Sequence, residues 1–116
     1  MTTAMTAAPP RPEQTFCLHG LRVDLPAHRV CRGRREITLT PQEYALLEAL
    51  VINHDLAMTR EQLLSIAWGY DYEGETRTVD VHIRTLRQKL GPCGEMIETV
   101  RGVGYRFSAS AAVYHG

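Results

Sequence analysis

The stretch Arg77–Leu90, RTVDVHIRTLRQKL, constrains the fold more than any other. Val79, Ile83, Leu86 and Leu90 recur at i, i+4, i+7 and i+11. At about 100° per residue they fall in one narrow stripe of an α-helix, so this stripe is expected to face a core. Opposite it stand Arg77, Val81, Arg84, Thr85 and Gln88. That face mixes guanidinium, amide, hydroxyl and a small apolar group, unlike the Glu/Lys alternation of an idle solvent face. Such side chains match base-pair edges: Arg pairs bidentately with guanine, Gln with adenine, and a short apolar group meets the thymine methyl.

With 116 residues, 44% hydrophobic and 22% charged, the chain has the composition of a single globular domain with one modest core. Formal net charge is zero, so an anionic partner requires charge segregated onto one surface. Between Arg77 and Phe107 six basic residues face three acidic ones, whereas between Glu43 and Glu75 seven acidic residues face Arg60 alone. No apolar run approaches the ~20 residues that cross a bilayer, and the N-terminus lacks a signal-peptide pattern, so a cytoplasmic protein without membrane contact is expected. Cys17, Cys31 and Cys93 show no C-x-x-C spacing, which fits a reducing compartment. His19 and His28 near Cys17 and Cys31 fall short of the four well-spaced ligands of a structural zinc site, so no metal or other cofactor is expected.

Residues 1–14 are rich in Ala, Thr and Pro and read as a flexible linker. From Thr15 to Leu39 short alternating apolar signals (Phe16 and Leu18; Leu21, Val23 and Leu25; Val30; Ile37 and Leu39) are broken by turn residues and predict an antiparallel meander. Thr40-Pro41-Gln42-Glu43 opens a helix, with Thr40 as N-cap, Pro41 at the first helical position and Glu43 closing a capping box. Leu46, Leu47, Leu50 and Val51 give it a broad apolar side. Thr59-Arg60-Glu61-Gln62 repeats the capping logic for a shorter helix that ends at Gly69. A polar loop, Tyr70 to Thr76, precedes the amphipathic helix. Gly91-Pro92 ends that helix, and a hairpin is expected around Arg101-Gly102-Val103-Gly104. The domain is thus expected over residues 15–108, with a tail at 109–116.

The order of sheet, helix, helix, basic helix and hairpin, carried by the motifs LTPQEYALLEAL, TREQLLSIAWG, RTVDVHIRTLRQKLG and IETVRGVGYRF, resembles the winged-helix effector domain of OmpR/PhoB-family response regulators. The resemblance covers about Phe16 to Phe107. It implies an α+β winged helix-turn-helix: a four-stranded N-terminal antiparallel sheet, three helices with the third in the DNA major groove, and a C-terminal β-hairpin wing at the adjacent minor groove. The implied activity is sequence-specific double-stranded DNA binding for transcription regulation in a two-component system. Arg77, Thr78, His82 and Arg84 match positions that touch phosphates or bases, with Val81, Thr85 and Gln88 completing the helix face. Thr99, Arg101 and Tyr105 match wing contacts, and Trp68 matches a phosphate-contacting tryptophan. Thr85 departs from the pattern, since some relatives place a base-reading arginine there. The loop bearing Asp71, Glu73 and Glu75 faces RNA polymerase in the resembled family. Two such domains, monomeric in solution, are expected to pair on direct-repeat half-sites.

Other readings of individual residues remain open at this level. Arg87 lies at the side of the helix and is suited either to an acidic neighbour or to DNA. Lys89 suits the helix dipole, and strand alternation sets Tyr105 and Arg106 on opposite faces. The sequence has no nucleophile elbow, phosphate loop or carboxylate dyad, so an enzyme is not expected. A winged helix serving as a protein-protein interaction module would present an apolar outward face on the third helix; Arg77, Arg84 and Gln88 occupy it instead.

Overall fold

In a computed structural model, which describes residues 15–109, the polypeptide forms two small sheets around three helices. Strands β1 (Thr15–Leu18), β2 (Leu21–Asp24), β3 (Arg29–Arg32) and β4 (Arg35–Ile37) build an antiparallel meander in sequence order. The register Phe16↔Val23↔Val30↔Ile37 aligns one apolar row, while Cys17↔Arg22↔Cys31↔Glu36 forms the alternate row on the other face. This is the period-two separation expected of a sheet covered on one side. Leu25 and Leu39 lie just outside the strands. The linker expected over residues 1–14 lies outside the described residues, as does all of the expected tail except Ala109.

Helix α1 (Pro41–Ile52) begins with both bonds of its capping box: the Glu43 amide donates to the Thr40 hydroxyl at 3.2 Å, and the Thr40 amide to the Glu43 carboxylate at 2.9 Å. Its buried Leu46, Leu47, Leu50 and Val51 lie at the centre of the molecule, against α2, α3 and the C-terminal sheet. Helix α2 (Arg60–Trp68) has the equivalent box between Thr59 and Gln62. Helix α3 (Arg77–Leu90) buries Val79, Ile83, Leu86 and Leu90 completely, as its periodicity requires. Phe16 meets Phe107 edge to face at 5.5 Å, joining the meander to the C-terminal sheet.

Two elements differ from the sequence expectation. After α3, residues Gly91–Met96 form a turn of 3₁₀-helix packed closely on α3; a Cβ at Gly94 would come within 2.4 Å of the Arg87 carbonyl oxygen. Met58–Thr59 form a two-residue strand, β5, which pairs with β7 (Gly104–Phe107), itself paired with β6 (Ile97–Val100). The C-terminal hairpin is thereby the outer part of a three-stranded sheet ordered β5-β7-β6. Gly104 makes this possible, since a Cβ there would approach the Met58 carbonyl oxygen to 2.0 Å. Its lack of a side chain is what lets β5 pair there. Gly102 instead serves the hairpin tip: at φ +77° it sits in the turn closed by the Val103 amide on the Val100 carbonyl at 2.9 Å.

Candidate nucleic-acid interface

Helix α3 sits on its apolar stripe and turns Arg77, Val81, Arg84 and Gln88 to solvent. Val81, 57% exposed, lies between Arg77 and Arg84 on this face. These four residues form one continuous outward strip along the helix. Thr78 and His82 lie at its edge, half-buried. The His82 ring lies 2.9 Å through Nδ1 from the Thr78 carbonyl oxygen, and edge-on to Trp68 at 4.8 Å. Trp68, half-buried at the end of α2, packs against the core and also lies 6.0 Å from the Tyr72 ring. Trp68 and His82 thus form one shoulder beside the exposed strip.

Hairpin β6–β7 forms the other shoulder. Arg101 and Val103 are exposed at its tip. It is fastened to α3 by Arg87, which is half-buried and bonds a backbone carbonyl and a hydroxyl. The Arg87 guanidinium donates to the Ile97 carbonyl through Nε at 3.0 Å and Nη2 at 2.8 Å, and to the Thr99 hydroxyl at 2.9 Å. Thr99 stays exposed while its hydroxyl accepts this bond.

Tyr105 is a correction to the wing contacts expected from the sequence. It is only 5% exposed, and its hydroxyl donates to the Asp80 carboxylate at 2.5 Å. The Arg60 and Arg87 guanidiniums each lie 5.4 Å from the centre of its ring. Arg60 also donates to Asp80 at 2.8 Å. Tyr105 therefore joins α2, α3 and β7 as a positioning residue, with its polar tip directed inward because Asp80 is there to receive it. Burial raises the Asp80 pKa, but the Tyr105 hydroxyl and Arg60 outweigh it and hold the carboxyl below its ordinary value. Burial, and then Asp80, push the Tyr105 phenol up.

Thr85 is a second correction. Its hydroxyl points to α1, 2.7 Å from the Glu43 carboxylate and 3.0 Å from the His82 carbonyl. It does not offer that group to a ligand on the outward strip. Lys89 stands in the last turn of α3, as the dipole reading expected, and its ammonium also meets Glu43 at 2.7 Å, a partner the sequence did not mark. Arg106 pairs with Glu98 at 2.8 Å and lies half-buried beside buried Tyr105, as strand alternation required.

Asp71, Glu73 and Glu75 are all exposed in the α2–α3 loop, together with Tyr70 and Tyr72. Among the described residues no helix is long and apolar enough to cross a membrane, and no group of three or more His, Cys, Asp or Glu is placed to hold a metal ion. Arg60 and Asp80 went unrecognised in the sequence. They are 20 residues apart, and the only local signal was an acid set in the first turn of an otherwise basic helix.

A family model described as "Transcriptional regulatory protein, C terminal" matches residues 34–107. The phosphate regulon transcriptional regulatory protein PhoB of Escherichia coli (strain K12) is 44% identical over 98 residues, covering 83% of this chain and 43% of that protein. The transcriptional regulatory protein SrrA of Staphylococcus aureus (strain NCTC 8325 / PS 47) is 38% identical over 114 residues, covering 95% and 47%. The chain thus spans less than half the length of these relatives. Among solved structures, the Klebsiella pneumoniae RstA DNA-binding domain in complex with RstA box is similar with a TM-score of 0.72 and 32% identity, covering 83% of this chain and 98% of that one.

Proposed function

The chain belongs to the family of transcriptional regulatory protein C-terminal domains, of the OmpR/PhoB winged-helix type, and from that premise we propose that it is the sequence-specific, double-stranded DNA-binding effector domain of a two-component response regulator. The observation that carries this is the exposed strip Arg77, Val81, Arg84 and Gln88, flanked by the Trp68–His82 shoulder and by a hairpin with Arg101 at its tip. A convex helix between two shoulders suits a major groove, which is about 12 Å wide and admits one α-helix.

In this reading α3 enters the major groove. Arg77, Thr78, His82, Trp68 and Thr99 engage phosphates and set the register, while Arg84, with Gln88 and Val81, reads base edges. Of Thr85 only the methyl remains for such a contact. Arg101 enters the adjacent minor groove, whose negative potential rises where it is narrow. The domain acts in the cytoplasm, is monomeric alone and pairs on direct repeats about one helical turn apart. The exposed loop acids Asp71, Glu73 and Glu75 are offered to a basic surface of RNA polymerase. The family is one of transcription regulators and not an enzyme family.

Selecting bound duplexes from a random pool tests the reading. Enrichment of a direct repeat, with affinity for random duplex falling steeply as salt rises, is the expected result. Absence of binding to any duplex at low salt would instead favour a protein-contact role for α3.

A further inference from the structure

Glu43 is the one charged residue buried in the described domain, at 3% exposure, and DNA recognition as outlined gives it no part. Its carboxylate accepts three bonds, one from the N-cap of its own helix and two from α3. Oε1 takes the Thr40 amide at 2.9 Å and the Lys89 ammonium at 2.7 Å, and Oε2 takes the Thr85 hydroxyl at 2.7 Å. The capping box needs only the first. The other two reach across 46 and 42 residues to α3.

Thr85 and Lys89 are four apart, so they stack on one flank of α3, between its core stripe and its outward strip. The opposite flank carries Asp80 and Arg87, bound to Tyr105, Arg60, Thr99 and the Ile97 carbonyl. Contact along an apolar stripe sets which face of α3 is buried but, being non-directional, holds small rotations about the helix axis less sharply than hydrogen bonds do. Hydrogen bonds on both flanks specify that rotation. Side chains reach roughly 6 Å from a helix axis, so a ~10° rotation carries them through about 1 Å, enough to spoil a bond whose length tolerates a few tenths.

We propose that Glu43 is a positioning residue for DNA recognition: by gripping Thr85 and Lys89 it fixes the rotation of α3, and so the direction from which Arg84 and Gln88 meet the base edges. This rests on the DNA-binding reading above. It also explains why position 85 is withdrawn from hydrogen-bonding readout, since its hydroxyl serves the grip. The chain thereby exchanges one potential base contact for a fixed approach of the others.

Glu43→Gln tests this, because glutamine also closes a capping box but presents no charge to Lys89 and only one acceptor oxygen. The readout is the ratio of affinities for a selected duplex and its scrambled counterpart at one salt concentration, with melting temperature alongside. The expected result is a fall of about tenfold in that ratio, one base contact's share of discrimination, while scrambled-duplex affinity holds. Lys89→Met leaves the capping box untouched and is expected to lower the ratio in the same direction, which keeps the test open if Glu43→Gln folds poorly. An unchanged ratio in both variants, or equal weakening on both duplexes, would overturn the positioning role while leaving the DNA-binding reading intact. A wild-type domain that binds no duplex at low salt would overturn both.

Discussion

Replacing Tyr105 by phenylalanine removes one oxygen from the junction of α2, α3 and the wing while leaving its ring in place. The lost bond runs from the phenol to the Asp80 carboxylate at 2.5 Å, in the short range of charge-assisted hydrogen bonds. A bond to a charged group contributes about 1.5–3 kcal/mol when no other partner is available. Asp80 has another, since Arg60 holds it at 2.8 Å, and its side chain is 39% exposed, so water replaces part of what is lost. Solvent screening therefore brings the expected cost down to about 1 kcal/mol. The ring stays between Arg60 and Arg87, so no cavity term is added. For a domain of this size, 1 kcal/mol corresponds to a fall of roughly 4–8 °C in melting temperature. Urea unfolding of wild type, Tyr105→Phe, Asp80→Asn and the double variant would isolate the pair, with a coupling energy of about 1 kcal/mol expected. If the single effects simply add, the Asp80–Tyr105 bond does not join the wing to α3 in solution.

Two further outcomes follow from the same geometry. Arg84→Ala should cost about 1–3 kcal/mol of discrimination between selected and scrambled duplex in a competition assay, because it deletes the fork assigned to a guanine; uniform weakening on both duplexes would reassign Arg84 to a phosphate. Burial raises the Glu43 carboxyl, but Lys89, the Thr40 amide and Thr85 outweigh it and hold it below its ordinary 4.5. A carboxyl lowered by folding stabilises above its unfolded value, and the contribution disappears as pH falls through the folded one. Urea midpoints should therefore drop below about pH 4.5, with a shallower drop in Glu43→Gln; parallel profiles for the two proteins would rule Glu43 out as a source of acid sensitivity.

What the sequence determined by itself was whatever depends on neighbours a few residues apart. Thr40 with Glu43 and Thr59 with Gln62 announced both capped helix starts, because a capping box is closed within four residues. The 3.6-residue recurrence of Val79, Ile83, Leu86 and Leu90 fixed which face of α3 is core, and hence that Arg77, Val81, Arg84 and Gln88 point outward. Alternation of period two gave the meander and the opposed faces of Tyr105 and Arg106. Only the tertiary structure decided the polar ends of side chains at the flanks of these elements. Tyr105 turned inward because Asp80, 25 residues earlier, receives its hydroxyl. Thr85 and Lys89 turned to α1 because Glu43, more than 40 residues away, accepts from both. Arg87 tied α3 to the wing through a backbone carbonyl, an acceptor every residue carries and no sequence pattern marks. Met58–Thr59 became a strand only because Gly104 lets β7 come close. Periodicity fixes which face an element buries; the partner of each polar group on its flank depends on which distant segment the packing brings within 3 Å.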